Sequence, residues 1–184
     1  MPRFVYYVAS SLNGFIATED DSLDWLFAVD STDSIDFAGF LEGIDVLVAG
    51  STTYEWVFTH EKLHESPEKW LEFYGDRATF VFTTRDLPTP EGVDIRFVSG
   101  EPANHLDSIR EAAGDGDVWL IGGGDLAGQF LDAGALNELQ VTMTPVALPT
   151  GAPLFPRAIG PERLGLKSAE QFGQFAHLTY EVTG

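Results

Sequence analysis

The chain has 184 residues, 44% of them hydrophobic, which fits a single domain over residues 1–184 with a substantial core. It has no cysteine, so disulfide bonds and thiolate chemistry are excluded. Its 29 acidic and ten basic residues give a formal net charge of −19, which argues against nucleic acids and anionic membranes as partners.

The predicted elements of the first half alternate between buried strands and short helices. Strands are predicted at residues 4–10 and 45–49, and the second leads through Gly50 into a helix at residues 52–58. Between them, apolar residues at near-helical spacing predict a helix over residues 31–40, with Ser31 or Thr32 as its N-cap. Residues 59–77 are polar and predict a surface excursion with one helical stretch at residues 67–73.

The second half continues this alternation. Strands are predicted at residues 78–83, 94–98, 117–121 and 136–144, helices at 103–113 and 125–133, and a terminal antiparallel pair at 166–182. Alternating strands and helices predict an α/β fold whose mostly parallel sheet has helices on both faces and a C-terminal antiparallel hairpin. Ligands bind such sheets at the carboxyl ends of strands, which points to the turns after Ala49, Phe82 and Ile121.

The expected location is the cytoplasm. No segment has the roughly 18 consecutive apolar residues of a membrane span, and the strand-like start is too short for a signal peptide. The acidic composition, with only three Lys, fits either ordinary solubility or a salt-rich cytoplasm.

Gly122-Gly123-Gly124, between a predicted strand and a predicted helix, form the most informative motif. Glycines at such a turn let backbone N–H groups approach a pyrophosphate, and the helix N-terminus adds a favourable dipole. A tight turn without a ligand is the alternative. The spacing also fits the Rossmann pattern G-x-G-x-x-A, but a Rossmann fingerprint opens a long βαβ array, and only 60 residues follow Gly124. The motif therefore predicts a phosphate-binding turn outside a Rossmann fold.

Five segments, taken in order, resemble the dihydrofolate reductase superfamily. They are residues 5–17 with Ser10-Ser11-Leu12-Asn13-Gly14-Phe15-Ile16-Ala17, residues 46–55, residues 80–85, the glycine triplet, and residues 139–156. Asp21-Ser22-Leu23-Asp24-Trp25-Leu26 is similar to a stretch in one branch, which contains the reductase domain of the bifunctional riboflavin-biosynthesis deaminase-reductase and its stand-alone relatives. The resemblance implies a mixed sheet of about eight strands, an NADPH-dependent reduction and a homodimer.

The resemblance also implies which residues hold the cofactor. Ala9, Ile16 and Ala17 are expected on the nicotinamide side, Gly50, Ser51, Thr52 and Thr53 at the phosphates, Thr83, Thr84 and Arg85 at the adenosine end, and Gly122, Gly123, Gly124, Asp125 and Leu126 at the pyrophosphate. The family commonly has Arg at the positions of Ser51 and Asp125, which leaves Arg85 as the basic candidate for a 2′-phosphate. NADPH is therefore expected, with NADH as the alternative.

The expected function is hydride transfer to a conjugated C=N or C=O of a small heterocycle. The substrate is expected to be pterin-like, as in dihydrofolate reductase, or riboflavin-precursor-like, as in 5-amino-6-(5-phosphoribosylamino)uracil reductase. No Arg between Gly50 and Asp76 is available to clamp a folate glutamate tail. Asp24 is the expected catalytic residue, binding the heterocycle or relaying a proton, or else a carboxylate that caps its helix. The alternative function is a non-catalytic nucleotide-binding protein on the same fold.

His60-Glu61-Lys62-Leu63-His64 matches the zinc-protease signature H-E-x-x-H. In a zinc hydrolase, His60 and His64 share one face of a helix as ligands, and Glu61 is the general base. Here Ser66-Pro67 interrupts the pattern at once, and no third ligand stands at a convincing spacing. We therefore expect a solvated loop or helix end and no metal site, with the zinc hydrolase as the third hypothesis.

Overall fold

The structure is a computed structural model that describes residues 1–30 and 36–184. Its elements in chain order are β1 (Phe4–Ser10), β2 (Phe15–Ala17), α1 (Asp24–Phe27), α2 (Phe37–Glu42), β3 (Ile44–Gly50), α3 (Ser51–His60), α4 (Glu68–Tyr74), β4 (Ala78–Phe82), β5 (Ile95–Val98), a 3₁₀ turn (Pro102–Asn104), α5 (Leu106–Ala113), β6 (Asp117–Gly122), α6 (Gly124–Asp132), β7 (Leu136–Met143), β8 (Ala152–Pro153), β9 (Leu164–Phe172) and β10 (Phe175–Val182). No helix within those ranges is long and apolar enough to span a membrane.

Eight strands of the described chain form one sheet in the order β5-β4-β3-β6-β1-β7-β10-β9. The strands from β5 to β7 are parallel, and β10 pairs antiparallel with both β7 and β9. The short strands β2 and β8 pair separately. This arrangement confirms the predicted α/β fold, with its mostly parallel sheet and its C-terminal antiparallel hairpin.

Successive residues of the central strand β1 supply the two faces of the core. Phe4 and Tyr6 pack into a cluster that α5 and α6 cover, whereas Val5 and Tyr7 pack into a second cluster that α3 and α4 cover. This division follows from the two-residue period of a strand, and a central parallel strand is buried on both faces. The two helical layers leave the carboxyl edge of the sheet to the loops.

The segment after α3 differs from the prediction of a surface excursion. Leu63 is 1% exposed and Trp70 is 2% exposed, and both belong to the cluster between the sheet and the layer of α3 and α4. Two buried apolar side chains anchor a segment that is mostly polar. Its polar composition therefore gave no sign that these two residues pack into the core. The prediction of one helical stretch there is confirmed by α4.

The predicted helix over residues 31–40 begins later in the structure. Asp36 is the N-cap of α2, and its Oδ1 accepts a hydrogen bond of 2.8 Å from the backbone N–H of Gly39. A carboxylate that accepts from the first turn is a strong N-cap. The predicted N-caps Ser31 and Thr32 lie outside the described residues.

Candidate functional site

A cavity of about 730 Å³ lies where the carboxyl ends of parallel strands meet. Residues at or directly after the ends of β1, β3, β4, β5 and β6 line it, and its size is typical of pockets for small ligands and cofactors. The three turns to which the sequence pointed, after Ala49, Phe82 and Ile121, all open into this one cavity. Parallel strands bring them together because their ends share one edge of the sheet.

Nearly all of the predicted cofactor-binding residues line the cavity. Those that line it are Ala9, Ile16, Ala17, Gly50, Ser51, Thr52, Thr53, Thr83, Thr84, Gly122, Gly123, Gly124, Asp125 and Leu126. The two predicted site residues that do not line it are Arg85 and Asp24. The sequence reasoning did not single out Asp21, Trp56, Tyr74 or Gln129, which do.

Two helix N-termini lie side by side on the cavity wall. Gly50 caps α3 and Gly123 caps α6, and neither cap supplies a side chain that accepts from the first turn. A Cβ placed on Gly50 would lie 3.8 Å from the Gly123 nitrogen, which shows how close the two turns are. Uncapped N–H groups at converging helix N-termini form a ready site for anions such as phosphates.

The three positions of the triplet differ in how strongly the structure requires glycine there. Gly122 has φ of +152°, a value that favours glycine, and its peptide bond to Gly123 is cis. A Cβ on Gly124 would overlap the backbone carbonyl groups of Pro153 and Leu154. A Cβ on Gly123 would meet only Ile16, at an ordinary 3.9 Å. Gly124 is therefore fixed by chain packing, and Gly123 leaves room beside the cavity.

Asp125, a carboxylate at the turn where the pyrophosphate is expected, has its charge compensated. Its carboxylate accepts from Gln129 at 2.9 Å and pairs with Arg157, also at 2.9 Å. These two hydrogen bonds, from Gln129 and then from Arg157, lower the pKa of Asp125. The carboxylate stays ionised at the first turn of α6 with a guanidinium beside it.

Arg85 lies outside the cavity wall because it pairs with a residue of α3. Its guanidinium binds Glu55 through two hydrogen bonds, of which the one between Nη1 and Oε1 is 3.1 Å long. The pair is solvent-exposed on both sides, at 55% for Arg85 and 39% for Glu55. Thr83 and Thr84, two and one residues before it, do line the cavity. Arg85 is thus next to the predicted adenosine end but held by a carboxylate.

The acidic residue from the segment before α1 that lines the cavity is Asp21. Asp24, at the first position of α1, does not line it. Asp21 adopts φ of +59° in a tight loop, where its N–H donates to the Thr18 carbonyl at 3.1 Å. Nothing in the sequence separates Asp21 from Asp20 or Asp24, since the loop geometry alone selects which of the three residues lines the cavity.

Part of the cavity wall is apolar and aromatic. Leu23, Leu26, Trp56, Val57 and Tyr74 contribute to it. Burial, with a smaller contribution from a nearby carboxylate, raises the pKa of Tyr74 to about 12, so this phenol stays neutral. A wall of this composition suits a flat, largely apolar ring.

The H-E-x-x-H motif spans the end of α3. The helix ends at His60, and Lys62 has φ of +53°, so His60 and His64 do not share a helix face. His60 stacks instead on Trp56, with ring centroids 4.4 Å apart, and Phe27 stacks on His60 at 5.5 Å. Within residues 1–30 and 36–184, no three His, Cys, Asp or Glu side chains form a metal-binding group. This arrangement does not match the zinc hydrolase geometry.

The chain is similar to known sequences over most of its length. The sequence profile of the RibD C-terminal domain matches residues 55–178. The uncharacterised protein YwjB of Bacillus subtilis (strain 168) is 30% identical over 178 residues, which are 97% of each chain. The uncharacterised protein YyaP of the same organism is 25% identical over 158 residues, covering 83% of this chain and 80% of that one.

Solved structures give the same fold. A putative riboflavin biosynthesis protein from Shewanella sp. PV-4 superposes with a TM-score of 0.77 at 24% identity, covering 100% of both chains. Dihydrofolate reductase from Enterococcus faecalis, complexed with NADP(H) and RAB-propyl, superposes with a TM-score of 0.60 at 19% identity, covering 99% of this chain and 97% of that one. These likenesses confirm the fold that the sequence segments predicted.

Proposed function

The chain belongs to the RibD C-terminal domain family, and we propose on that premise that it is a reductase that uses NADPH, with NADH as the alternative, to reduce a small heterocycle. The observation that carries the proposal is the pair of uncapped helix N-termini, at Gly50 and Gly123, on the wall of one cavity. Two solved neighbours support it by their names. One is the dihydrofolate reductase complexed with NADP(H). The other, from Thermotoga maritima, is a bifunctional deaminase and 5-amino-6-(5-phosphoribosylamino)uracil reductase, with a TM-score of 0.67, 15% identity, and cover of 99% of this chain and 57% of that one.

The residues around the cavity fit a dinucleotide. We assign the phosphates to the first turns of α3 and α6, where free N–H groups and the hydroxyls of Ser51 and Thr53 lie. We assign the adenosine end to Thr83 and Thr84, which follow β4. An anionic ligand needs such local positive potential because the net charge of −19 opposes it.

The chain contributes orientation rather than reactive groups. A bound reduced nicotinamide supplies the hydride that an electron-poor carbon of the heterocycle accepts. Ala9, Ile16 and Ala17 give an apolar wall against which a ring can lie, and Trp56 gives an aromatic surface in the same cavity for a second ring. The acidic role expected of Asp24 stays a prediction, because the residue is exposed and outside the cavity wall.

Titration with NADPH and NADH tests the cofactor part of the proposal. Trp56 lines the cavity, so its fluorescence should change in a saturable way, and a Trp56→Phe variant should lose most of that change. Turnover is then followed by the loss of reduced-nicotinamide absorbance with a panel of pterins and uracil-based riboflavin precursors. No saturable binding of either dinucleotide would exclude the proposal, whereas binding without any turnover would favour the non-catalytic alternative.

Two further expectations are proposed with this function. We propose that residues 1–184 form one domain and that the protein is a homodimer, as the family resemblance implies. Light scattering coupled to size-exclusion chromatography checks the second, because a dimer doubles the 20.1 kDa mass of the chain.

A further inference from the structure

We infer that the substrate of this cavity is a neutral or cationic ring without a phosphate group or carboxylate tail, and that Asp21 binds its N–H groups. The inference rests on the proposed function, which gives the cavity a cofactor end and a substrate end. It narrows the expected substrates, because both the pterin-like and the riboflavin-precursor-like compounds include members that carry anionic groups.

The first observation is that no basic side chain lines the cavity. All ten Lys and Arg and all four His lie within the described residues, and none of them belongs to the cavity wall. Asp21 and Asp125 do belong to it. A phosphate monoester or a carboxylate in a protein site is normally held by Arg or Lys, which offer charge-assisted hydrogen bonds.

Arg77 is the basic residue that contacts Tyr74 of the cavity wall, and its guanidinium is already hydrogen-bonded within the protein. Arg77 donates to the backbone carbonyls of Ile44, Tyr74 and Leu41, at 2.6, 2.6 and 2.7 Å. Tyr74 lines the cavity, but Arg77 does not. Because its guanidinium holds three chain segments together, turning it toward a ligand would leave these carbonyls without their donor.

The helix N-termini do not replace a basic residue at this end. Along α3, Ser51 and Thr53 lie at the N-terminus, whereas Trp56 and Val57 lie in the next turn and face the same cavity. The favourable field of a helix N-terminus falls off within the first turn. Leu23 and Leu26 complete this end, so a phosphate there would meet apolar side chains and the carboxylate of Asp21.

Asp21 is available to a ligand. Its backbone is fixed by the Thr18 loop, in which the Ser22 N–H also donates to Thr18 Oγ1 at 2.9 Å. No described residue donates a hydrogen bond to the Asp21 carboxylate, while the neighbouring Asp20 carboxylate accepts from Thr18 Oγ1. A free carboxylate beside an apolar wall binds ring N–H groups and repels anions.

Matched pairs of probes test this inference. Calorimetric binding of 6-hydroxymethylpterin is compared with that of pterin-6-carboxylate, in which a carboxylate replaces the hydroxymethyl group, and binding of 5-amino-6-ribitylaminouracil with that of its 5′-phosphate. Each titration is run on the free protein and on protein saturated with NADP⁺. We expect the probe without the anionic group to bind at least about tenfold more tightly in each pair. Equal or tighter binding of the anionic member would overturn the substrate class.

The role of Asp21 has its own variant and control. Asp21→Asn keeps a residue that tolerates positive φ, so the fold is expected to survive, and an unchanged thermal midpoint checks this. We expect it to weaken 6-hydroxymethylpterin binding about tenfold while pterin-6-carboxylate binding stays the same or improves. Glu19→Gln makes the same charge change at a position of the same loop that does not line the cavity, and it should leave all affinities unchanged. Equal affinities for Asp21→Asn and the wild type would overturn the assignment.

The result of these probe titrations can be distinguished from the result of the test of the proposed function. If no dinucleotide binds but the probes on the free protein show the expected preference, the proposed function fails and the substrate class stands. If NADP⁺ binds and the preference is reversed, the proposed function stands and the substrate class fails.

Discussion

Arg157 and Asp125 form an ion pair at the N-terminal turn of α6, with 2.9 Å between Nη1 and Oδ1. The same guanidinium binds Asp132 at the other end of the helix, with 2.8 Å between Nε and Oδ2. Gly128 lies between the two contacts, and a Cβ there would come within 2.7 Å of Arg157 Cγ. The first turn of α6 therefore carries a carboxylate beside the proposed phosphate site, and Arg157, from the segment after β8, compensates it.

Removing Arg157 should weaken dinucleotide binding. In Arg157→Gln the Asp125 charge is uncompensated at the helix N-terminus, so we expect the Kd for NADPH to rise about three- to tenfold. The double variant Asp125→Asn/Arg157→Gln should return close to the wild-type Kd. Fluorescence titration measures all three proteins, and a double variant as weak as the single one would contradict the explanation.

Glu55 should control the choice between the two dinucleotides. It holds Arg85 in a two-hydrogen-bond ion pair next to the adenosine end. Glu55→Gln releases the guanidinium for a 2′-phosphate, so we expect the ratio of NADPH to NADH affinity to increase about three- to tenfold. Arg85→Gln should decrease that ratio, and NADH affinity should stay nearly constant in both variants. A ratio that does not respond to either substitution would remove Arg85 from cofactor selection.

Gly124 should be needed for stability rather than for ligand binding. In Gly124→Ala the new methyl group overlaps the backbone of Pro153 and Leu154, which cannot move without displacing β8. We expect the free energy of unfolding in urea to fall by about 1–3 kcal/mol. Gly50→Ala is the matched control, because its methyl group meets no atom closer than 3.8 Å. Similar losses in the two variants would argue against the packing explanation.

His177 should make stability depend on pH. His177 lies in β10, is 6% exposed, and has its Nδ1 3.0 Å from Thr142 Oγ1. Burial lowers its pKa, against the opposing influence of Glu170 and Glu138. Below the ordinary His pKa of about 6.5, the unfolded chain therefore takes up a proton that the folded protein does not.

The free energy of unfolding should consequently fall as the pH decreases from 7 to 5, with a contribution from His177 of at most about 1.4 kcal/mol per pH unit. His177→Asn should remove this part of the slope in urea titrations at several pH values. The exposed His64 provides the control, since His64→Gln should keep the wild-type slope. A slope that is identical in His177→Asn and the wild type would show that His177 does not carry it.

Much of the fold and half of the residues that line the cavity were predictable from the sequence. The period of apolar residues in β1 and β3 and the glycines that end β3 and β6 are local signals, because strand pleating and turn conformations depend on neighbouring residues. The order of these turns along the chain then identified the superfamily. The burial of Leu63 and Trp70 within the segment from 59 to 77 was not predicted, because it depends on what they contact and not on their polar neighbours.

Contacts between distant parts of the chain were decided only by the tertiary structure. Asp125 and Arg157 are 32 residues apart, and Glu55 and Arg85 are 30 apart, so no local pattern pairs them. The sequence by itself thus determined which turns line the cavity, since strand ends and glycine turns are local features. The folded chain decided which charges face that site, because an ionised side chain is compensated or left free by whichever surface packs against it. That is why Asp21 rather than Asp24 reaches the cavity.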